Sequence, residues 1–416
     1  MNTKPLTLRR DDLGHRSETV RRVNLSAILR ALHLEGPRSR SDLVASTGLT
    51  RSAIRALVGE LVAGGLAVEG PAPLDGTPGR PSPIVRVDPN GAVVIALEIA
   101  VDTLAAAAVG LGGAVLARIR EDLAPGRSSV EDIAAALADL AARVQEAIPS
   151  DATLVGYGVA VVGVVRRSDG MVSIAPNLGW RDEPLGARLA ATLDPALPIA
   201  FANEADLAAL AELRRGAARG ATDVICIWGS VGVGGGIIVD GQPLTGAAGY
   251  SGEVGHIPVD PDGLPCRCGS SGCWETVVGS GALLRRTGHP AEAGPEVVEQ
   301  ILRDAQAGVP AALAAFAETG RWLGIGLAGL INVLDSRLVI LGGRLAAAYP
   351  FVRATLEAEL DRRALRASRH LVRVVPAALG RDAPLLGAAE LGLEPVLADP
   401  AGWLQPTDST VHSISA

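Results

Sequence analysis

His256, Cys266, Cys268 and Cys273 fall in one short run and have the types and spacing of metal ligands. Three thiolates and one imidazole make a closed tetrahedral shell for Zn2+, the pattern of a structural site rather than a catalytic one. The alternatives are small buried cysteines, or a disulfide between two of them. Structurally inert cysteines favour apolar strands and helices, whereas these lie among Arg267, Gly269, Ser270, Ser271 and Gly272. Ligand types and number favour zinc. Two carboxylates, Glu253 and Glu275, flank the cluster. Cys226 sits in an apolar strand and reads as core. His15, His33, His289, His370 and His412 show no ligand spacing.

Such a site needs elements around it, and the chain has ample length for them. Its 416 residues predict two or three domains, and 48% apolar with 20% charged residues describe a globular chain. No apolar run of about 18 residues suggests a membrane span, and the N-terminus lacks a signal-peptide pattern. A cytoplasmic, reducing setting without a membrane partner is the expectation, which also disfavours a disulfide. Residues 1–90 hold 13 Lys and Arg against 9 Asp and Glu, a net of +4. Of the totals of 38 and 45, the remaining 25 and 36 leave −11 on residues 91–416. A basic front on an acidic body suggests a polyanionic partner for the front.

Residues 24–34 predict a helix, with Leu25, Ile28, Leu29 and Leu32 on one face. Gly36-Pro37 ends it. Ser39-Arg40-Ser41-Asp42 has capping-box spacing and opens a second helix, and Thr47-Gly48-Leu49 turns the chain. Thr50 caps a third helix that buries Ile54, Leu57, Val58 and Leu61. Two short helices around a glycine turn form a helix-turn-helix. Thr50, Arg51, Ser52 and Arg55 lie at the outward N-terminal end of the third helix, where a recognition helix meets base edges. A three-helix bundle with a solvated basic face is the structural alternative. Residues 66–69 and 84–87 predict a hairpin wing tipped by Gly79-Arg80-Pro81. Arg80 suits a narrow minor groove or plain solvent equally. With Arg40, these residues make up the DNA-contact set. Asp88-Pro89-Asn90-Gly91 is a turn and a domain boundary.

From Ala92 the pattern becomes α/β. Strands are predicted at 93–99, 104–109, 115–119 and 154–165, with a helix over 130–147. A second series opens with strands at 224–228 and 236–239 joined by the glycine-rich 229–235, and includes 338–341. Two lobes, each opening with a glycine-punctuated hairpin, suggest the actin-like duplicated fold of sugar kinases. The divisions are an extension (1–20), a winged helix-turn-helix (21–90), lobe 1 (91–200), lobe 2 with the zinc loop (201–395) and a loose tail (396–416).

With these features in place, the chain resembles the ROK family (repressors, open reading frames and kinases) over about residues 20–395. The motifs that carry the resemblance are Gly-Glu-Val-Gly-His (252–256), Cys-x-Cys-Gly-x-x-Gly-Cys-x-Glu (266–275) and Ala-Pro-Asn-Leu-Gly-Trp (175–180). Within that family an N-terminal winged helix marks the sugar-responsive regulators, a branch that includes xylose and N-acetylglucosamine repressors. The resemblance implies that His256, Cys266, Cys268 and Cys273 ligate zinc. It also implies that Asn177, Asn203, Glu204, Glu253, His256 and Glu275 border a sugar pocket, where carboxyls and amides match hydroxyl donors and acceptors. Trp180 suits either a sugar face or the core.

Kinase and regulator differ at the phosphate side. The family's kinases use an Asn-Asp pair, whose Asp is the general base, and an Asp-x-Gly-Gly-Thr loop. This chain has Asn203-Glu204 and, in the loop, Glu98, Ala100 and Val101, followed by Asp102. A β-branched side chain and an added carboxylate crowd and repel a triphosphate. The glycines of 229–236 persist, but they serve strand packing as readily as nucleotide binding. The expectation is a non-enzymatic, sugar-responsive repressor. A homodimer or a dimer of dimers would read a pseudo-palindromic DNA operator under a small-molecule sugar effector. The alternative is a ROK sugar kinase with an added DNA-binding domain.

Overall fold

Leu25, Ile28, Leu29 and Leu32 are fully buried along the first helix, Arg10–Glu35, which begins well before the predicted residue 24. The computed structural model describes residues 10–71, 82–123 and 129–404, with side chains from residue 18 onward. Ser39 caps the second helix, Arg40–Thr47, by the expected box: its hydroxyl accepts the Asp42 N–H at 3.0 Å, and Asp42 accepts the Ser39 N–H at 3.0 Å. Gly48 ends that helix at φ +71°, a conformation open to glycine at little cost. Thr50 then caps Arg51–Ala63, whose buried face is Ile54, Leu57, Val58 and Leu61. Strands Ala67–Gly70 and Ile84–Val87 pair antiparallel as the wing. A third strand, Arg38–Ser39, joins them and was not evident from the sequence. Gly79, Arg80 and Pro81 lie outside the described residues.

The body carries two five-stranded sheets of one topology. In lobe 1, Val93–Ile99, Thr103–Gly110 and Ala114–Asp122 form an antiparallel meander. Leu154–Val161 and then Ile199–Asn203 add in parallel beyond Val93–Ile99. In lobe 2, Val224–Gly229, Val233–Val239 and Gln242–Pro243 form the meander. Leu338–Gly343 and Arg373–Pro376 add in parallel on the other side of Val224–Gly229. The duplication that residue identities hide is explicit in strand order.

Helix Glu204–Arg215 lies between the sheets, and its residues 204–212 are all buried. Leu207 and Leu210 pack with Ala96, Ala105 and Ala107 of lobe 1, while Ala209 packs with Val224, Cys226 and Ile340 of lobe 2. A helix enclosed on several sides needs small side chains, which accounts for its four alanines.

Four predicted boundaries change. The hairpin of lobe 2 turns within 230–232, because Val233–Gly236 already pair with 226–229. The strand predicted over 154–165 breaks at Val162-Gly163. Beyond it, Val164–Val165, Val172–Ala175 and Trp180–Glu183 form a small separate sheet. Lobe 1 extends to Asn203, since Ile199–Asn203 is its edge strand.

The fourth change is the C-terminus, where residues 396–404 are not a loose tail. Pro395 lies inside helix Ala383–Ala398, which packs onto lobe 1, and a short helix Pro400–Trp403 follows. A proline is a poor guide to a helix end when apolar residues beyond it find a core. Leu393, Val396, Leu397 and Ala401 share one buried cluster with Leu25, Leu29, Leu61 and Val94. The winged helix, lobe 1 and the C-terminal helix thus share a single core. Residues 405–416 lie outside the described residues.

Candidate functional site

Loops of lobe 2 bring His256, Cys266, Cys268 and Cys273 together, with one donor atom of each within 4.8 Å of all the others. His256 Nδ1 lies 3.7 Å from Cys266 Sγ, and the sulfurs of Cys268 and Cys273 are also 3.7 Å apart. Donors on a tetrahedral ion with bonds of about 2.0–2.3 Å stand about 3.5–3.8 Å from one another, so these side chains can hold a metal ion. A sulfur pair at 3.7 Å is far beyond the S–S bond length of about 2.05 Å, and all four cysteines are free thiols. The loop is braced by backbone bonds, among them Cys266 N to Ser270 O at 2.7 Å and Trp274 N to Ile257 O at 2.8 Å.

The same loop borders a polar cleft between the lobes. His256 turns Nε2 toward Glu253, 3.9 Å away. Glu275 begins the helix that follows Cys273 and accepts the Val233 N–H at 3.0 Å. Asn177 comes from lobe 1, in the turn of the small sheet, and accepts from Arg267 Nη1 at 2.8 Å. Arg267, placed between two cysteines, was not singled out from the sequence. Only its position in the loop hinted at a role.

Gly232 and Gly234–Gly236 let these groups approach. A Cβ on Gly232 would lie 2.2 Å from Glu275 Oε2 and 3.5 Å from Asn177 Nδ2. One on Gly236 would meet the Ala205 carbonyl at 2.4 Å. Asn203 spends its side chain on structure: Oδ1 caps helix Glu204–Arg215 through the Ala205 N–H at 2.7 Å, and Nδ2 donates to Gly163 O at 2.9 Å. One N–H and one lone pair remain for a ligand.

Burial dominates the electrostatics of the cleft. Glu204 is pushed up to about 8 by desolvation and by the neighbouring Glu98, although Ser230 donates to it at 3.3 Å. Glu253 rises to about 7 through burial, with Asp206 and Glu275 adding to it. Burial also lifts Asp206 to about 6 against the opposing Arg167, 2.8 Å away on lobe 1. A neutral carboxyl both donates and accepts, which suits a hydroxyl-rich ligand. Trp180 is buried in the core of lobe 1.

Around Glu98 and Asp102, the residues expected from the sequence at the phosphate side, the structure shows internal charge pairs. Glu98, 4% exposed, takes Arg120 Nη2 at 2.9 Å, and Asp382 sits 3.3 Å from the same nitrogen. Asp102 of lobe 1 pairs with Arg344 of lobe 2 at 3.0 Å, while Arg344 Nη1 donates to Ser280 Oγ at 3.2 Å. Arg344 opens helix Arg344–Arg363 directly after the Gly342-Gly343 turn. This ion pair bridges the lobes.

Comparison with known families matches residues 94–394 to ROK. The chain belongs to the ROK family. A glucokinase of Streptomyces coelicolor is 35% identical over 277 residues, covering 62% of this chain and 87% of that protein. The xylose repressor of Bacillus subtilis is 27% identical over 378 residues, 90% of this chain and 96% of its own. Among solved structures, a ROK transcriptional regulator described as a homologue of the E. coli MLC protein superposes with a TM-score of 0.75. It is 26% identical and covers 92% of this chain and 98% of its own. A ROK glucokinase from Streptomyces griseus, solved with glucose and AMPPNP, gives 0.62 at 32% identity, covering 72% and 98%.

The two lobes are therefore the actin-like ROK domain, preceded by a winged helix-turn-helix. On the ROK protein's third helix, Arg51, Ser52 and Arg55 are exposed, and among the described residues neither arginine has an ion-pair partner. Thr50 is the cap, accepting the Ala53 N–H at 3.2 Å. Arg40 reaches Glu69 on the wing at 2.6 Å, so it ties helix to wing. Arg86, exposed on wing strand Ile84–Val87, adds a positive charge that sequence patterning passed over. Among the described residues no helix is long and apolar enough to cross a membrane.

Proposed function

We propose that the protein is a sugar-responsive, DNA-binding transcriptional regulator, a repressor, that senses its sugar without phosphorylating it. The observation that carries this reading is the Asp102–Arg344 ion pair across the cleft, where a kinase would place nucleotide phosphates. With Glu98 held by Arg120, both carboxylates of that loop have an internal cation, so Arg120 and Arg344 are already engaged and are not free to receive added phosphates. Glu204 is protonated at neutral pH, the wrong state for a general base, and a good state for donating to a sugar hydroxyl. Coverage supports the same reading: the repressor aligns over 90% of the chain, more than the two lobes alone, and the glucokinase over 62%.

In this reading His256, Cys266, Cys268 and Cys273 hold a structural Zn2+ that keeps His256 and Glu275 at the pocket wall. Asn177, Asn203, Glu204, Glu253, His256 and Glu275 contact the sugar. Arg51, Ser52 and Arg55 read the operator, with Thr50, Arg40 and Arg80 supporting phosphate and groove contacts in a homodimer. The sugar acts through different affinities for DNA-competent and DNA-incompetent states. Thermal denaturation with D-glucose, D-xylose and N-acetyl-D-glucosamine, each with and without MgATP, tests the proposal alongside ADP release. The expected result is a rise in Tm with one sugar, no further rise with MgATP and no ADP. Sugar-dependent ADP release at about 1 s⁻¹ or faster, a rate ordinary for kinases, would make it an enzyme.

A further inference from the structure

The pocket and the DNA-binding domain meet the same helix, one at each end. Glu204–Arg215 has 12 residues and spans about 18 Å at 1.5 Å per residue. Its first turn faces the cleft: Asn203 caps it while holding Gly163, Glu204 takes Ser230, and Asp206 takes Arg167. Its last turn ends in Arg214 and Arg215, and both guanidiniums point away from the cleft into a buried polar node.

Two carboxylates one helical turn apart on Ala383–Ala398, Glu390 and Glu394, receive them. Arg214 donates to Glu390 Oε2 at 2.9 Å and to Glu394 Oε2 at 2.8 Å. Arg215 donates to Glu390 and, at 2.7 Å, to the Gly112 carbonyl of lobe 1. Each carboxylate also reaches the first helix of the DNA-binding domain. Glu394 takes Arg30 Nη1 at 3.2 Å, and Glu390 takes His33 Nε2 at 3.0 Å. His33 Nδ1 lies 2.9 Å from the Gly112 N, and Arg215 Nη2 comes within 2.6 Å of His33 Nε2, so the imidazole is enclosed by Gly112, Glu390 and Arg215.

His33 and Glu390 are each 1% exposed. Burial opposes the charge on Glu390, but His33, Arg215 and Arg214 together hold its carboxyl well below the usual range. An ion network this buried is costly to leave half-satisfied, so a displaced partner shifts the others with it. Beside it lies an open cleft of about 410 Å³, lined by His33, Gly36, Arg86, Gly112 and Arg215.

We infer that helix Glu204–Arg215 is the coupling element of the regulator. Arg214 and Arg215, through Glu394 and Glu390, carry displacement of its pocket end to Arg30 and His33 of the DNA-binding domain. Arg214, Arg215, Glu390 and Glu394 are positioning residues and touch neither sugar nor DNA. The inference rests on the sugar-sensing reading above, and it names the contacts through which two sites on one rigid element bias each other.

Hydrogen exchange of the full chain, with and without the sugar that raises Tm among D-glucose, D-xylose and N-acetyl-D-glucosamine, tests it. In the parent protein, sugar changes exchange both at 204–216 and at 28–37, by about threefold or more. In Arg215→Gln the change at 28–37 is lost, while sugar affinity by calorimetry stays within about threefold of the parent. Arg219→Gln, on the same surface but outside the node, behaves as the parent. If Arg215→Gln fails to fold, Glu394→Gln, at the half-exposed carboxylate, replaces it with the same expectation. Persistence of the sugar effect at 28–37 in the variant overturns the inference and leaves the sensor reading intact. So does a parent that binds sugar with no change at 28–37. A parent that binds none of the sugars removes the underlying reading and the inference with it.

Discussion

Glu204 shows how one methylene and a buried setting alter what a carboxyl can do. Its raised value of about 8 means that the unfolded chain loses this proton near its ordinary value of 4.5, while the folded chain keeps it. The contribution to stability is therefore full below about pH 4.5 and declines as pH rises through 8, since the unfolded state then binds fewer protons. Glu204→Gln removes the titration. It is expected to match the parent near pH 4 and to exceed it at pH 8.5 by a few kcal/mol, at about 1.4 kcal/mol per pK unit, in denaturant titrations. Equal stability of the two at pH 8.5 contradicts a protonated Glu204. At the metal cluster, Cys268→Ser is expected to lower bound zinc from about one ion per chain to near none. Sugar affinity should fall with it, as the loop that carries His256 and Glu275 loosens. Unchanged sugar affinity in the metal-free variant would separate the ion from the pocket.

At the scale of elements, what could be read from the sequence was what local rules determine. The capping box at Ser39, the αL turn at Gly48 and the Thr50 cap all follow from short-range chemistry, and each appears where the residues place it. The cysteine cluster was equally legible, because ligand type and spacing are local. What was hidden depends on distant partners. Arg38–Ser39 is a strand only because Ile84–Val85 lies beside it. Pro395 stays helical because Val396 and Leu397 find the core of the winged helix. Asn203 looked like a ligand contact and spends half of its capacity on a cap and on Gly163, which no spacing rule reveals. The Asp102–Arg344 and Arg267–Asn177 contacts join residues far apart in sequence, and neither left a local signal. On the third helix, exposed Arg55 has no ion-pair partner among the described residues, whereas Arg40 is tied to Glu69. Arg55→Ala should weaken operator binding by about 1–3 kcal/mol and relax base preference at one position, with sugar affinity unchanged. Equal affinity of mutant and parent in fluorescence anisotropy would mean that a different face of the helix meets the DNA.

In the whole molecule, the two sheets of equal topology form a cleft, and the sequence between and after them builds connections across it. Helix Glu204–Arg215 runs between the lobes, and Ala383–Ala398 returns from lobe 2 to lobe 1 and on to the winged helix. A winged helix that shares a core with lobe 1 is seated on the body rather than tethered to it. Under the proposed function, lobe displacement then has a direct mechanical route to the operator. The measurement that bears most directly on this account is the affinity of the full chain for an operator selected from random-sequence DNA. It should be taken with and without the sugar that raises Tm, in the presence of MgATP, with ADP followed in the same samples. The account predicts an operator affinity that changes at least about tenfold, or about 1.4 kcal/mol, with sugar, and no ADP. Operator affinity indifferent to sugar, together with steady ADP formation, would contradict it.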